Sequence, residues 1–160
     1  MLNFKIEKAT ETDVEQIIQL WIQLMQLHQT FGTSCFSGFE KFQQDYETLM
    51  QARIVTNDNA VLVAKADGKV VGYITAEIST SVFSESNNEI MLCKVDDIMI
   101  DENFRRQKIG YALIDNLKDW AARFDAYSIE LKVFANNKQG LLFYDALGFE
   151  ETFKTMRLNF

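Results

Sequence analysis

Not one proline interrupts the 160 residues of this chain, and histidine occurs once, at His28. Without proline, the stiff linkers that often divide multidomain chains are missing, and no Gly/Ser tract, repeat or low-complexity segment replaces them. A single domain over residues 1–160 is therefore expected, long enough to bury a genuine core. A lone histidine and no Cys-x-x-Cys pair leave no recognisable set of metal ligands, so no metal is expected. The two cysteines, Cys35 and Cys93, are too few for a disulfide framework and read as reduced thiols. Basic residues are the minority, 16 against 23 acidic, for a net charge of −7. That balance argues against a broad nucleic-acid or anionic-membrane surface, which works by neutralising phosphates, and suits a cationic partner. No apolar run reaches membrane length; even Ile17 to Leu27 is broken by Gln19, Gln23 and Gln26. With no signal-peptide pattern at the N-terminus either, a soluble cytoplasmic protein is the expectation.

What the chain does have is clear periodicity. Leu2 to Glu7 alternates as a strand. Thr10, with Asp13 three residues on, opens a helix whose buried stripe is Val14, Ile17, Ile18, Trp21, Leu24 and Met25. Gly32 to Gly38 breaks it, and Phe39, Phe42, Tyr46, Leu49 and Met50 mark a second, more polar helix. Ala60 to Ala66 and Val70 to Ile78 read as strands joined by a tight Asp67-Gly68 hairpin. Ser79 to Glu89 reads as a polar loop, and Ile90 to Ile100 as the next strand. A helix then carries Ile109, Leu113, Leu117, Trp120 and Phe124, followed by a strand through Tyr127, Ile129, Leu131 and Val133. Asn137 to Leu147 is a short helix closed by Gly148, and Phe149 to Phe160 returns as one or two strands. The order β-α-α-β-β-β-α-β-α-β predicts an α/β (α+β mixed) fold. Its central sheet would be mixed, mostly antiparallel, with six to seven strands and about four flanking helices.

The stretch from Val95 to Ala112 carries the chemistry. An apolar strand contains two adjacent carboxylates, Asp96 and Asp97, and a polar connection leads to Arg105, Arg106, Gln107, Lys108 and Gly110 at a helix start. The first N–H groups of a helix lack intrahelical acceptors and sit at the positive end of its dipole, and the arginines add charge-assisted donors. A phosphate-bearing ligand is predicted there, with its other end near Asp96 and Asp97. Like charge and partial burial should raise the pKa of one of the two toward a useful base. Strand alternation would put them on opposite faces, Asp96 with Ile98 and Ile100, and Asp97 with Val95 and Met99.

These residues resemble the GNAT superfamily of acetyl-CoA-dependent N-acetyltransferases. Its pyrophosphate turn, Arg/Gln-x-x-Gly-x-Gly/Ala, corresponds to Arg105-x-x-Lys108-x-Gly110, with Lys where the family has its first Gly. Its second signature, Asn-x-x-Ala-x-x-x-Tyr then Gly-Phe, corresponds to Asn137 through Tyr144 and then Gly148-Phe149, with Gly140 in place of Ala. A helical Lys108 could still offer its N–H, and its ammonium could meet a phosphate. The resemblance implies that the N–H groups of Gln107, Lys108, Ile109, Gly110, Tyr111 and Ala112 hold the pyrophosphate of coenzyme A, with Arg105 and Arg106 beside them. It implies that the backbone of Ile98, Met99 and Ile100 pairs with the pantetheine arm, as in strand addition. Asn137 would bond that arm or order its helix, and Tyr144 would protonate the leaving thiolate. Asp96 falls where the family often carries a general base and is favoured over Asp97, with binding of the cationic amine as the alternative role for the pair.

Further candidates concern the acceptor. His28 and Phe31 stand where the first helix ends, and Glu77 lies late on a hairpin strand. A lone His after a buried stripe more often packs or caps than acts as a base. Phe31, Phe36, Phe39 and Phe42 either line a substrate mouth or anchor the connection between helices. Two functions stay open at this point: acetyl transfer from acetyl-CoA to a primary amine by direct attack, and an inactive acyl-CoA-binding module. The expected partner is a small cationic amine, with no nucleic acid and no membrane, and the resemblance makes a homodimer an expectation too. A dinucleotide oxidoreductase is excluded, because no strand is followed by Gly-x-Gly-x-x-Gly.

Overall fold

Chain order and sheet order coincide. β1 (Lys5–Lys8), β2 (Asn59–Ala66), β3 (Lys69–Phe83), β4 (Asn88–Ile100) and β5 (Ser128–Leu131) lie side by side in that sequence. The first three pairings are antiparallel and β4–β5 is parallel, as a connection through a helix allows. The computed structural model describes residues 2–32, 38–83, 88–158 and 160, with 82, 83 and 88 described by backbone alone. Cys35 and Phe36 lie outside the described residues. The mixed α/β architecture matches expectation, with five strands among the described residues rather than six to seven.

Helices α1 (Val14–Gln29) and α2 (Gln43–Val55) cover one face of the sheet, and α3 (Ile109–Ala122) covers the other. α4 (Lys138–Ala146) follows β5. The entry to α1 is closed as its sequence predicts. Thr10 donates both its backbone N–H and its hydroxyl to Asp13 Oδ2 at 2.9 Å, and the Lys65 ammonium lies 2.8 Å from the same carboxylate. The predicted stripe of α1 is buried against Val61, Val63, Tyr73 and Met99. On the opposite face Ile109, Leu113, Ile114 and Leu117 pack on Ala64, Ile74, Ala76, Cys93 and Val95. Leu113, Ile114 and Leu117 are fully buried, and each such side chain contributes roughly 1.5–3 kcal/mol. Among the described residues, no helix is long and apolar enough to cross a membrane.

Two expectations are corrected. Most of the polar loop placed at Ser79 to Glu89 is strand: β3 runs on to Phe83, β4 begins at Asn88, and Ser79 pairs with Leu92 across the ladder. Residues 84–87 of that loop lie outside the described residues. Ser and Thr there signal a solvated surface rather than irregular backbone, and an antiparallel arm tolerates that surface. Among the described residues, no strand forms within Phe149 to Phe160: 151–158 form no ladder, and Phe153, Met156 and Leu158 are 93%, 89% and 79% exposed. Alternation supplies a strand with a face, but the strand also needs a neighbour to bond. The Asp67-Gly68 hairpin is as expected, with φ of 47° and 78°.

Candidate active site

The ladder between β3 and β4 slips once. Thr75 lies opposite Asp97 and Ala76 lies opposite Val95, so Asp96 faces no residue of β3 and forms a bulge. The bulge absorbs the extra residue, so that odd-numbered residues face α3 before it and even-numbered ones after it. Cys93 and Val95 pack toward α3, yet Met99 packs toward α1 and Ile98 and Ile100 toward α3. The expected separation of the two carboxylates onto opposite faces is therefore overturned. Asp97 keeps company with Met99 but not with Val95, and both carboxylates reach side chains of α2.

Those partners differ in kind. Arg53, in the last turn of α2, places its guanidinium 2.5 Å from Asp96 and 3.5 Å from Glu77. Its side chain is 13% exposed, against 40% for Asp96 and 43% for Glu77, so one largely covered cation bridges two more exposed carboxylates. Asp97 instead accepts a 2.7 Å hydrogen bond from the Tyr46 hydroxyl, which lies 3.3 Å from the Tyr73 hydroxyl. Burial raises the Asp97 pKa, and the Asp96 charge adds to this; the Tyr46 hydrogen bond and Arg53 oppose it without cancelling it. Thr75, fully buried opposite Asp97, has no hydrogen-bond partner for Oγ1 among the described residues. Cys93, on the next strand segment, is pushed up to about 11 by burial and then by Asp96, so it is no nucleophile at neutral pH.

Beyond Val95, β4 parts from β5. The parallel pairing covers only Leu92 to Val95, which leaves the outer edge of Ile98, Met99 and Ile100 without a strand neighbour among the described residues. This edge leads directly to the basic turn. Arg105 Nε donates to the Ile100 carbonyl at 3.2 Å, and Arg105, Arg106 and Lys108 are exposed. Arg106 and Lys108 both take left-handed backbone, with φ of 62° and 65°. Lys108 is thus not helical, as was expected, but caps α3 in a conformation that costs a non-glycine residue roughly 1–2 kcal/mol. This explains why glycine suits the position. Ile109, Gly110 and Tyr111 begin the helix and have no intrahelical acceptors for their N–H groups, whereas the Ala112 N–H already donates to the Lys108 carbonyl. A depression of about 310 Å³ adjoins them, lined by Lys108, Tyr111, Ala112 and Asp115. A Cβ on Gly110 would come within 2.9 Å of the Phe143 ring, so this glycine makes room for α4.

α4 is held by its own cap. Asn137 Oδ1 accepts from the Gly140 N–H at 2.9 Å, which is the helix-ordering role among its two expected ones. A Cβ on Gly140 would lie 2.6 Å from the Asn137 side-chain amide, so an alanine there would require that amide to shift. Tyr144 sits between the rings of Phe143 and Phe149, and burial pushes its phenol to about 12. His28 and Phe31 meet at the end of α1, against Phe134 at 4.9 and 5.7 Å, and the Phe31 carbonyl accepts from Asn136. Burial lowers the His28 pKa. Glu77 joins Asp96 through Arg53. The other aromatic candidates separate: Phe39 is buried edge-on against Trp21, an anchoring role, and Phe42 is exposed. Tyr46, Arg53, Tyr73 and Thr75 escape sequence reasoning. Their only signals are helix-forming or strand-forming ones, and their contacts span 24 to 51 residues.

Residues 21–149 match the Acetyltransferase (GNAT) family. The chain belongs to this family. An N-alpha-acetyltransferase of Sulfurisphaera tokodaii is 31% identical over 152 residues, covering 92% of this chain and 81% of that protein. An uncharacterised N-acetyltransferase of Methanocaldococcus jannaschii is 25% identical and matches 92% of this chain; the chain spans 61% of that relative's length. Among solved structures, the aminoglycoside N-acetyltransferase AAC(6')-Iy, crystallised with CoA, superposes with a TM-score of 0.74 at 18% identity, covering 97% of this chain and 98% of that one. A mutant of a Bacillus halodurans protein superposes at 0.81 and 20% identity, covering 98% and 99%. The GNAT fold expected from the two signatures is the fold observed. Acetyl transfer from acetyl-CoA to an amine is the chemistry of this family.

Proposed function

We propose that this GNAT protein, as one acetyltransferase domain, acetylates a small cationic amine by direct attack on acetyl-CoA, with Asp97 as proton acceptor and Tyr144 as proton donor. The residues fit coenzyme A. Three helix-start amides with Arg105, Arg106 and Lys108 suit its pyrophosphate, and the bare edge of Ile98 to Ile100 suits its amide-bearing arm. The observation that carries the reading is the bulge, which turns both Asp96 and Asp97 toward α2 where that edge begins. Around this point three carboxylates, Asp96, Asp97 and Glu77, stand with two cations, Arg53 and Lys94, the latter across the ladder from Glu77, and the remaining negative charge favours an ammonium.

An ammonium must lose a proton before its nitrogen can attack. Asp97, with its raised pKa, takes that proton. The N–C bond then forms as the C–S bond breaks, and the thiolate collects a proton from Tyr144, whose phenol stays protonated at neutral pH. The second amine proton leaves to solvent, and the proton held by Asp97 is passed through solvent to the Tyr144 phenolate, so both groups are restored and one proton is released overall. Asp96, tied to Arg53, serves to attract the amine. His28, Phe31 and Glu77 are proposed to border the acceptor. A homodimer belongs to the same reading, since the outer edge of β5 has no strand partner among the described residues.

Release of free thiol from acetyl-CoA across a panel of amines tests the function. Asp96→Asn should mainly raise KM for the amine, and added salt should shrink the gap to wild type. Tyr144→Phe should keep acetyl-CoA affinity and lower turnover by up to about 10²–10⁴-fold. Acetyl-CoA binding in calorimetry with no thiol release by any amine would replace this reading with the binding-module one.

A further inference from the structure

Tyr46, partly buried, and Tyr73, fully buried, are phenols that the proposed chemistry leaves unused, and they are joined to the one carboxylate it needs. A carboxylate can only accept, so the 2.7 Å contact is a bond donated by Tyr46 to Asp97 Oδ2. That bond uses the only hydroxyl hydrogen of Tyr46. The 3.3 Å contact must then be donated by Tyr73 to Tyr46, which gives the chain a single direction, Tyr73 to Tyr46 to Asp97. Asp97 Oδ1 has no hydrogen bond among the described residues.

The chain has little room to rearrange. The Tyr46 ring stacks on Trp21 at 4.6 Å with 17° between the planes, and Trp21 itself is buried. Tyr73 is fully buried on β3. The stack on Trp21 holds the Tyr46 ring, and the Tyr73 hydroxyl has no path to water.

We infer that Tyr46, backed by Tyr73, is a positioning residue that fixes the Asp97 carboxylate by one oxygen and leaves the other for the amine proton. This rests on the assignment of Asp97 as proton acceptor. The neutral character of the donor is what distinguishes it. α2 gives Asp96 a full positive charge at contact through Arg53, and gives Asp97 a neutral phenol, which orients a carboxylate without pairing its charge. Two adjacent aspartates are thereby sorted into an anchor and a base by residues one helix apart from them. The groups on the side of Asp97 are Tyr46 and Arg53 from α2, Tyr73, Thr75 and Glu77 from β3, and Asp96 and Lys94 from its own strand. α1 contributes the uncharged Trp21 behind Tyr46.

The test is a ¹³C NMR titration of the Asp97 carboxyl in the whole protein, wild type and Tyr46→Phe, beside the pH profile of kcat/KM. The amine is the best acceptor from the panel, chosen on the wild type. Loss of a donor to the charged form should move the Asp97 titration upward by about one to two pH units. The acid limb of kcat/KM should move with it, so that activity below the limb falls about ten- to a hundredfold while acetyl-CoA affinity is unchanged. Tyr73→Phe should move both the same way by less, and it carries the test if Tyr46→Phe fails to fold. An unmoved Asp97 titration overturns the positioning role and leaves the base assignment standing. A titration that moves while the acid limb stays in place sinks Asp97 as the base, and the inference with it.

Discussion

The two faces of the sheet are built on different terms. Toward α3, the buried residues of β2, β3 and β4 are Ala60, Ala64, Ala66, Val71, Ile74, Ala76, Cys93 and Val95, with no charge among them. Toward α1 and α2, an apolar region at Val61, Val63 and Met99 gives way to Tyr73, Thr75, Glu77 and Asp97, where hydroxyls and carboxylates are buried or half-buried. A buried carboxylate weakens a fold, and an unpartnered hydroxyl such as Thr75 does so as well. The apolar face can hold the strands in register while the other face carries groups that packing alone would reject. Stability and chemistry are thus assigned to opposite sides of the same strands.

Substitutions that should move one property and not the other sharpen this contrast. The largest effect is expected from Asp97→Asn, which should lower acetyl transfer at neutral pH by about 10²–10⁴-fold, with part of the loss recovered as rising pH supplies free amine. Its melting temperature at pH 8 should be no lower than wild type. The raised pKa of Asp97 means that its ionised form opposes folding above that pKa, and Asn removes the opposition. A clearly lower melting temperature would erase the contrast. The converse variant is Leu117→Ala, on the α3 face, which should cost about 2–5 kcal/mol in urea unfolding while the rate per folded molecule holds.

Acid should expose a smaller difference. Burial opposes ionisation of Asp13, but bonds from Lys65 and Thr10 outweigh it and hold the carboxyl below its usual 3.8. A depressed carboxylate stabilises the fold above the unfolded pKa and loses that contribution as pH falls through the folded one. Lys65→Met should therefore lower stability at pH 6 but show a shrinking gap to wild type below about pH 4, as followed by circular dichroism. The smallest effect concerns the basic turn. Lys108→Gly relieves left-handed strain but adds freedom to the unfolded chain, for a net gain of up to about 1 kcal/mol. A loss of stability would mean that the lysine side chain itself holds the turn.

The basic turn and α4 were legible in the sequence because everything they need lies within a few residues. Arg105 to Ala112 and Asn137 to Phe149 each combine a turn, a cap and a helix start, and local spacing reports all three. The acceptor side was not legible. Tyr46 and Arg53 lie 51 and 43 residues from the aspartates they hold, in a helix whose pattern announces only a polar surface. The bulge at Asp96 has no residue signature either, since it arises from how two strands align, and so alternation misplaced the carboxylates. Ser79 to Phe83 was misjudged for a related reason: side-chain polarity reports solvent, whereas ladder partners decide strand.

In a pleated strand, the side on which a residue falls is fixed by whether its number is odd or even, like a parity bit. The bulge at Asp96 is an inserted digit. Remove it in thought, and Val95 still points to α3, while Asp97, Ile98 and Met99 keep the sides they have now. The aspartate is thus an addition that the rest of the strand does not need for its phase. It allows two successive charges to share one side, a density that an unbroken alternation cannot reach. A protein that evolves by single-residue insertion could acquire such an anchor in one event, with Asp97 already in place beside it.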